Sequence, residues 1–301
     1  MRTRLLAVAA MAVPLVLPNT YSRAQVVGFS SPPSIVLPFV PIDCPDAFST
    51  EPTHINNAGK VVGFCTDTSG HGHGFEWAHG KLQLLDFPGA VSSGAIGVNS
   101  TNAIVGFYYD DHGLLNGFRY TGGAFTTFDV PAKLGNNTFL TGINDVGDVV
   151  GTYEDASSNS QSFRIRRRKA RKVTFPGSTD TVVCDINNSG DMVGYYFTPQ
   201  NDMLGFLFQG GVFTTIQSPV GGLALPTGIN NQGEIVGYLY EGSQTQIFTY
   251  SGDVFQTYDL QGGTITILHF ELFGINDSRQ ITGPYVDNLG ITHGFLAQLP
   301  D

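Results

Sequence analysis

The sequence predicts an all-β protein built from repeated strand units, and three observations support this fold class. The 301-residue chain contains 38 Gly, 22 Phe and 12 Tyr, while only 13% of its residues are charged. Short apolar runs alternate with turns that contain Gly and Asn, and this composition favours short strands over helices. Finally, one pattern of residues recurs six times along the chain.

Each copy of the repeat begins with a branched aliphatic residue followed by Asn. The six Asn are separated by 43, 45, 43, 43 and 46 residues: Asn56, Asn99, Asn144, Asn187, Asn230 and Asn276. A Gly follows each Asn after seven residues, and a Phe follows after eighteen or nineteen. Because these registers stay aligned through all copies, the repeat defines one structural unit.

Each unit reads as four antiparallel strands. The first strand ends at the repeated Asn, and a turn such as 230–233 follows, in which Asn starts the turn and Gly233 supplies a positive φ. We interpret the Asn as a turn residue that binds its own turn backbone. Arg279 departs from the pattern, because it stands where four other copies have Gly. A four-stranded unit of 43 to 46 residues has the size of a propeller blade.

The two ends of the chain complement each other. The last copy stops after its third strand, near Leu299, and therefore lacks a fourth strand. Residues 39–45 match the fourth strand of the second copy, 125–131. We therefore predict a single six-bladed β-propeller of four-stranded antiparallel blades over residues 34–301, with the last blade closed by the N-terminal strand. Such closure removes exposed sheet edges.

The first residues of the chain predict export. Arg2 and Arg4 precede an apolar run over 5–17, and small residues precede a cleavage position after Ala24. This is the pattern of a secretory signal peptide, here 1–24, followed by a linker over 25–33. No second long apolar run follows, so we predict no membrane span and a periplasmic or extracellular location. The net charge of −10 argues against nucleic acid as a partner.

The repeat resembles that of the HAF-type extracellular repeat family. The matching segments are the Gly-Ile-Asn start, the Ile-Val-Gly centre, the Phe-Thr-Thr-Phe-Asp-x-Pro end, and His-Gly-Phe at 73–75 and 293–295, over residues 39–299. The resemblance implies export and a repetitive β architecture. It implies little about activity, because the repeat itself defines the family.

Candidate binding residues cluster on the loops between second and third strands, which share one face of a propeller. They are Tyr108, Asp110, Asp111, Tyr153, Glu154, Asp155, Tyr196 and Tyr285. A ring of such side chains suits carbohydrate, by stacking and hydrogen bonding. The alternative interpretation is that the Tyr rings pack between blades and the carboxylates are solvated.

A basic cluster stands out in the third copy. It comprises Arg164, Arg166, Arg167, Arg168, Lys169, Arg171 and Lys172. It can bind an anionic polymer, lipid headgroup or acidic partner, or it can be a solvated edge that discourages strand aggregation.

The chain has three Cys: Cys44, Cys65 and Cys184. In a propeller only Cys44 and Cys65 can come within disulfide distance, at the seam between the last and first blades. The His and Cys spacings do not fit a zinc site, and no cofactor motif is present, so we predict neither metal nor cofactor.

Three functions stay open. The first is a monomeric, non-catalytic exported module that binds a polysaccharide or an extracellular protein. The second is a secreted polysaccharide lyase or hydrolase, and the third is a structural surface or matrix component. A fold alone does not decide among them.

Overall fold

The computed structural model describes residues 33–130, 135–156, 160–219, 221–241, 244–265 and 272–300. The predicted signal peptide and most of the predicted linker lie outside these residues. All regular secondary structure in the described ranges is β. None of these ranges contains a helix long and apolar enough to cross a membrane.

The described residues form 25 strands. The N-terminal strands are β1 (Ile35–Leu37) and β2 (Phe39–Ile42). The first repeat contains β3 (Ala47–Ile55), β4 (Val61–Asp67), β5 (Gly72–Ala78) and β6 (Lys81–Leu84). The second contains β7 (Ser92–Val98), β8 (Ile104–Tyr109), β9 (Leu115–Thr121) and β10 (Ala124–Thr127). The third contains β11 (Asn136–Ile143), β12 (Val149–Glu154), β13 (Ser160–Arg166) and β14 (Lys169–Val173).

The remaining three repeats follow the same order. The fourth contains β15 (Asp180–Ile186), β16 (Met192–Phe197), β17 (Met203–Gln209) and β18 (Val212–Ile216). The fifth contains β19 (Leu223–Ile229), β20 (Ile235–Glu241), β21 (Gln244–Ser251) and β22 (Val254–Leu260). The last contains β23 (Gly274–Ile275), β24 (Gln280–Val286) and β25 (Thr292–Gln298).

The repeats are antiparallel meanders arranged in a ring, which confirms the predicted all-β propeller. The first strand of each repeat contacts the first strands of both neighbours, and β23 contacts β3 to close the ring. Hydrogen bonds group the strands into three four-stranded sheets, one five-stranded sheet and one eight-stranded sheet. The eight-stranded sheet contains the first and the last repeats, which are joined by one parallel pair, Thr292 with Ser49.

The N-terminal segment completes the sheet of the last repeat. Strand β2 pairs antiparallel with β25, with Phe39 opposite Ala297 and Ile42 opposite Gly294. This is the pairing that the sequence predicts. Strand β1 adds a parallel edge strand to β22 of the fifth repeat, an addition that the sequence did not predict.

In the first five repeats, the repeated Gly of the second strand lies against an irregularity in the first strand. In the second repeat the pairing register of β7 shifts between Ala95 and Gly97, close to Gly106 of β8. A Cβ atom on Gly106 would overlap the carbonyl oxygen of Gly94. Since β-bulges bring two strand backbones together in this way, only glycine fits there.

Arg279 adopts the left-handed conformation, with φ 58°, at the position where other repeats have Gly. Its guanidinium group donates hydrogen bonds to Glu234 of the neighbouring repeat, with Nε 3.1 Å from Oε2 and Nη2 3.0 Å from Oε1. It also donates to the carbonyl oxygen of Pro300. These contacts offset the unfavourable backbone conformation.

Candidate functional site

The propeller has two ends of different character. The turns between first and second strands lie at one end, here called the turn face. The loops between second and third strands lie at the other end, here called the loop face, because successive antiparallel strands turn at opposite ends.

The repeated Asn residues form a closed ring at the turn face. Each Asn Oδ1 accepts backbone N–H groups of its own turn; Oδ1 of Asn56 accepts those of Ala58 and Lys60 at 3.0 Å. This confirms the interpretation as a turn residue. Each Nδ2 in addition donates to the backbone carbonyl of the next Asn, at 2.9 to 3.2 Å, from Asn56 around to Asn276 and back to Asn56. The Asn therefore also joins neighbouring repeats, which the sequence did not predict.

The residues after these Asn form a second, outer ring of polar side chains. The backbone N–H of Asp145 donates to Oδ1 of Asn188 at 2.8 Å, and that of Asn188 donates to Oδ1 of Asn231 at 2.9 Å. The cavity inside the two rings is about 40 Å³. This volume accommodates water but no larger ligand.

The predicted Tyr residues mostly pack inside the protein. The ring of Tyr108 stacks on Phe87 with centroids 3.8 Å apart, and the ring of Tyr196 stacks on Phe175 at 3.6 Å. Tyr153 is 6% exposed and belongs to an apolar cluster between repeats. Tyr285 is half-buried, with its ring against Phe39. This arrangement matches the packing alternative that the sequence left open.

The predicted carboxylates stabilise loops. Oδ1 of Asp110 accepts the backbone N–H groups of His112 and Leu114, both at 2.9 Å. These hydrogen bonds lower the pKa of Asp110, although desolvation opposes them. Asp111 is exposed and contacts His112.

The carboxylates of the third repeat form amide hydrogen bonds. Oε2 of Glu154 accepts from Asn137 at 2.9 Å. Oδ2 of Asp155 accepts from Gln161 at 2.9 Å.

Two Asp-His-Asp clusters occur at the loop face, in the first and last repeats. In the first cluster, Nδ1 of His73 lies 3.0 Å from Oδ2 of Asp86, and Nε2 lies 3.5 Å from Oδ2 of Asp67. In the last, Nδ1 of His293 lies 2.7 Å from Oδ1 of Asp43, and Nε2 lies 3.3 Å from Oδ2 of Asp287. The two His occupy the same repeat position.

The paired carboxylates favour protonated histidine. The hydrogen bond to Asp86 raises the pKa of His73 above its ordinary value, against the opposing effect of burial. Burial lowers the pKa of His293, but the hydrogen bonds and charges of Asp43 and Asp287 outweigh it, so the pKa is raised. Both clusters are partly exposed. They present carboxylate oxygens to solvent, while each ring nitrogen of the two His faces a carboxylate.

A disulfide links chain segments next to the two clusters, and an exposed aromatic ring lies on β3, which stands between β25 and β4 in the sheet. Cys44, next to Asp43, forms a disulfide with Cys65, which lies directly opposite His73 on the adjacent strand. Phe48 is 71% exposed and lies on β3 between Ala47, which pairs with Asp67, and Ser49, which pairs with Thr292. We call the two clusters together with Phe48 the seam site.

Parts of the seam site can be recognised in the sequence. The His-Gly-Phe segments marked His73 and His293, and Asp67 is close to His73 in sequence. Asp43 and Asp86 were not singled out, because their proximity to the His depends on how fourth strands pair with third strands. Phe48 was missed because its exposure depends on how β3 pairs with its neighbours, which the spacing of residues does not show.

The basic residues all lie on the hairpin of β13 and β14 at the turn face. Arg164 pairs with Asp148, with Nη2 2.6 Å from Oδ2, and its Nη1 donates to the carbonyl oxygen of Gly190 in the fourth repeat. Five of the seven line one open groove: Arg164, Arg166, Arg167, Lys169 and Arg171. Arg168 and Lys172 lie outside the groove lining.

Comparison with solved structures establishes the fold. The chain is similar to AofleA from Arthrobotrys oligospora, with a TM-score of 0.56 and 12% identity over 83% of this chain and 84% of that one. It is similar to the lectin of Aleuria aurantia, a six-bladed β-propeller with a novel fucose recognition mode (TM-score 0.50, 12% identity, 83% and 93% covered). It is also similar to the β-propeller domain of the Trilobed protease from Pyrococcus furiosus (TM-score 0.50, 8% identity, 85% and 97% covered). No protein-family model matches the chain, and no curated protein matches it in sequence. At these identities the likeness shows the β-propeller fold alone.

Proposed function

We propose that this chain is an exported, non-catalytic binding module that recognises carbohydrate at the seam site. The observation that carries the proposal is the exposed Phe48 between two Asp-His-Asp clusters. An exposed aromatic ring stacks on the apolar face of a sugar, while the carboxylates, which the two His hold in place, accept hydrogen bonds from its hydroxyl groups. The similar fold of the Aleuria aurantia lectin supports a lectin-like use of this scaffold.

We further propose that the ring contains six blades and that the chain belongs with the HAF-type extracellular repeat proteins. The closed ring of hydrogen bonds among six Asn supports six blades. The eight-stranded sheet counts as two blades, because only one residue pair joins its two halves. The Cys44–Cys65 disulfide supports export, since disulfides persist in oxidising compartments.

A glycan array followed by calorimetry on the positive ligands tests the function. We expect binding of a defined glycan, and Phe48→Ala weakens it about tenfold or more, as for a central aromatic contact. The double variant His73→Ala/His293→Ala also weakens binding. The matched control is Val254→Ala, which truncates a residue of similar exposure, 66%, at the turn face.

Two outcomes contradict the proposal. If no glycan binds, the chain is not a carbohydrate-binding module. If a glycan binds equally well to Phe48→Ala and to the double His variant, the seam is not its site. Release of cleavage products from a bound polysaccharide favours the lyase or hydrolase alternative.

A further inference from the structure

The basic hairpin has one strongly cationic face. Side chains alternate along a strand, so Arg164 and Arg166 of β13 share a face with Lys169 and Arg171 of β14. The register places Arg164 directly opposite Arg171, and Arg166 directly opposite Lys169. Like charges in direct cross-strand pairs destabilise a hairpin. The direct cross-strand pairing of these four cations therefore does not itself stabilise the hairpin.

The turn of the same hairpin is also unfavourable. Arg167 and Arg168 both have positive φ, 50° and 63°. Four other described hairpins between third and fourth strands also have a positive φ at both turn residues. Each of them contains at least one Gly in the turn: His79-Gly80, Gly122-Gly123, Gly210-Gly211 and Gly252-Asp253. Arg is a poor residue for this turn type, so its presence twice points to a functional constraint on charge.

Little acidic charge compensates this face. Oδ2 of Asp148 lies 2.6 Å from Nη2 of Arg164 and 3.5 Å from Nε of Arg166. Within the described ranges, the other five basic residues of the hairpin form no ion pair. Arg167, Arg168, Lys169, Arg171 and Lys172 are all exposed.

The shape and lining of this surface narrow the class of ligand. The five basic side chains line a groove of about 510 Å³ that is open to solvent. A concave groove fits an extended chain better than a flat membrane. It contains no aromatic side chain, so it lacks the stacking platform that single-stranded nucleic acids need. Guanidinium groups bind sulfate and carboxylate oxygens in bidentate geometry.

We propose that this groove binds an acidic polysaccharide, a linear glycan that carries sulfate or carboxylate groups. The groove lies at the turn face, opposite the seam site, and the inference does not depend on carbohydrate binding at the seam. The protein would then hold two separate polymer contacts, one at each end of the propeller.

Binding of the full chain to a heparin oligosaccharide and to polygalacturonate, measured at 50 and 500 mM salt, tests the inference. These arms distinguish sulfate from carboxylate as the recognised group. The test variant is Arg166→Gln/Arg171→Gln, and the control is Arg168→Gln/Lys172→Gln. Both remove two charges from the same hairpin, but only the first pair lies in the groove lining. Thermal unfolding of each variant verifies that the fold is kept.

We expect the groove variant to bind at least one of the two polymers about tenfold or more weakly, since each lost charge-assisted hydrogen bond has an effect of that order. The control changes affinity much less, and binding of the wild type falls at high salt. Phe48→Ala leaves polymer binding unchanged, which separates this site from the seam.

Several results overturn the inference. Equal losses in both variants mean that net charge rather than the groove is recognised. Absence of binding to either polysaccharide at 50 mM salt excludes the proposed ligand class. Tighter binding to single-stranded DNA or to anionic phospholipid vesicles assigns the groove to nucleic acid or to membrane instead.

Discussion

His54 and Asp185 meet across the propeller ring, with Nε2 of the imidazole 3.4 Å from Oδ2 of the carboxylate. They belong to the first and fourth repeats, which are three steps apart in either direction around the ring of Asn. Four other repeats have Gly at this position: Gly97, Gly142, Gly228 and Gly274. A Cβ atom on Gly142 would lie 2.9 Å from Oδ1 of Asp185. The glycines therefore leave room for the two long side chains to cross.

The partners of this pair are not equivalent, and we expect their removal to have unequal effects. Asp185 also accepts the backbone N–H groups of Ile186 and Ile229, at 2.8 and 3.0 Å. Asp185→Ala leaves these donors and His54 without their acceptor, and should lower the free energy of unfolding by about 3 kcal/mol or more. His54→Gly restores the residue of the other repeats and should cost about 1 kcal/mol.

Urea unfolding of both single variants and the double variant measures the coupling between them. A coupling energy near zero would show that the contact contributes nothing to stability.

The stability contributed by the amide nitrogen of a ring Asn can be measured separately from that contributed by its amide oxygen. Asn144→Asp keeps an oxygen that accepts the N–H of Asp148, at 2.9 Å in the native chain, but loses the Nδ2 donor to the carbonyl of Asn187. We expect a loss of about 2 kcal/mol at neutral pH, because a carbonyl loses its donor and faces a carboxylate instead. Thermal or urea unfolding checks this. Asn201→Asp, at an exposed turn, is the control, and an equal loss there would count against the ring.

Glu51 predicts an unusual dependence of stability on pH. Burial raises the pKa of its carboxyl to about 7, and the hydrogen bond from Ser49 only partly opposes this. The folded state then binds the proton more tightly than the unfolded state does. Its contribution to stability is complete below the ordinary pKa of 4.5 and is lost as the pH rises through 7. A rise of this size corresponds to about 3 kcal/mol.

We therefore expect Glu51→Gln to be more stable than the wild type at pH 8 and similar to it at pH 4. Urea unfolding at both pH values gives the comparison. Asp111→Asn, which removes an exposed carboxylate, should leave the pH profile unchanged. A wild-type profile that is flat between pH 5 and 8 would contradict the assignment.

The two His clusters can be titrated within one molecule. The hydrogen bond from His73 to Asp86 is the main cause of the raised pKa of His73, whereas Asp43 and Asp287 raise the pKa of His293 against the opposing effect of burial. Asp86→Asn should lower the pKa of His73 and leave His293 unaffected, as measured by NMR of the imidazole protons. Stability from the wild-type pair is present below the ordinary His pKa of 6.5 and is lost as the pH rises through the folded value. Equal changes at both His would mean that the clusters are not independent.

Periodic features of the fold were accessible from the sequence, whereas contacts around the ring were not. The Asn, Gly and Phe registers predict strands and turns, since these depend on local spacing. The match of residues 39–45 to 125–131 predicts the pairing of β2 with β25. The crossing of His54 and Asp185 depends on which repeats stand opposite each other, and the Asn ring on how close neighbouring turns lie. Tyr108 shows the same limit, because its partner Phe87 belongs to the preceding connection. The run of basic residues in the third repeat is visible in the sequence. The direct pairing of Arg164 with Arg171 and of Arg166 with Lys169 is not, because it depends on the register of the two strands.

The pairing of β2 with β25 also constrains the order of events during synthesis. Residues 39–42 are made early, but their partner strand spans 292–298. Three features form only after residues 292–298 have been made: the last sheet, the parallel contact between Ser49 and Thr292, and the final bonds of the Asn ring. Until then the nascent protein exposes two unpaired sheet edges, a state open to association with other chains. Refolding should accordingly show a slow final step, and a chaperone that shields the N-terminal strand would act at that stage.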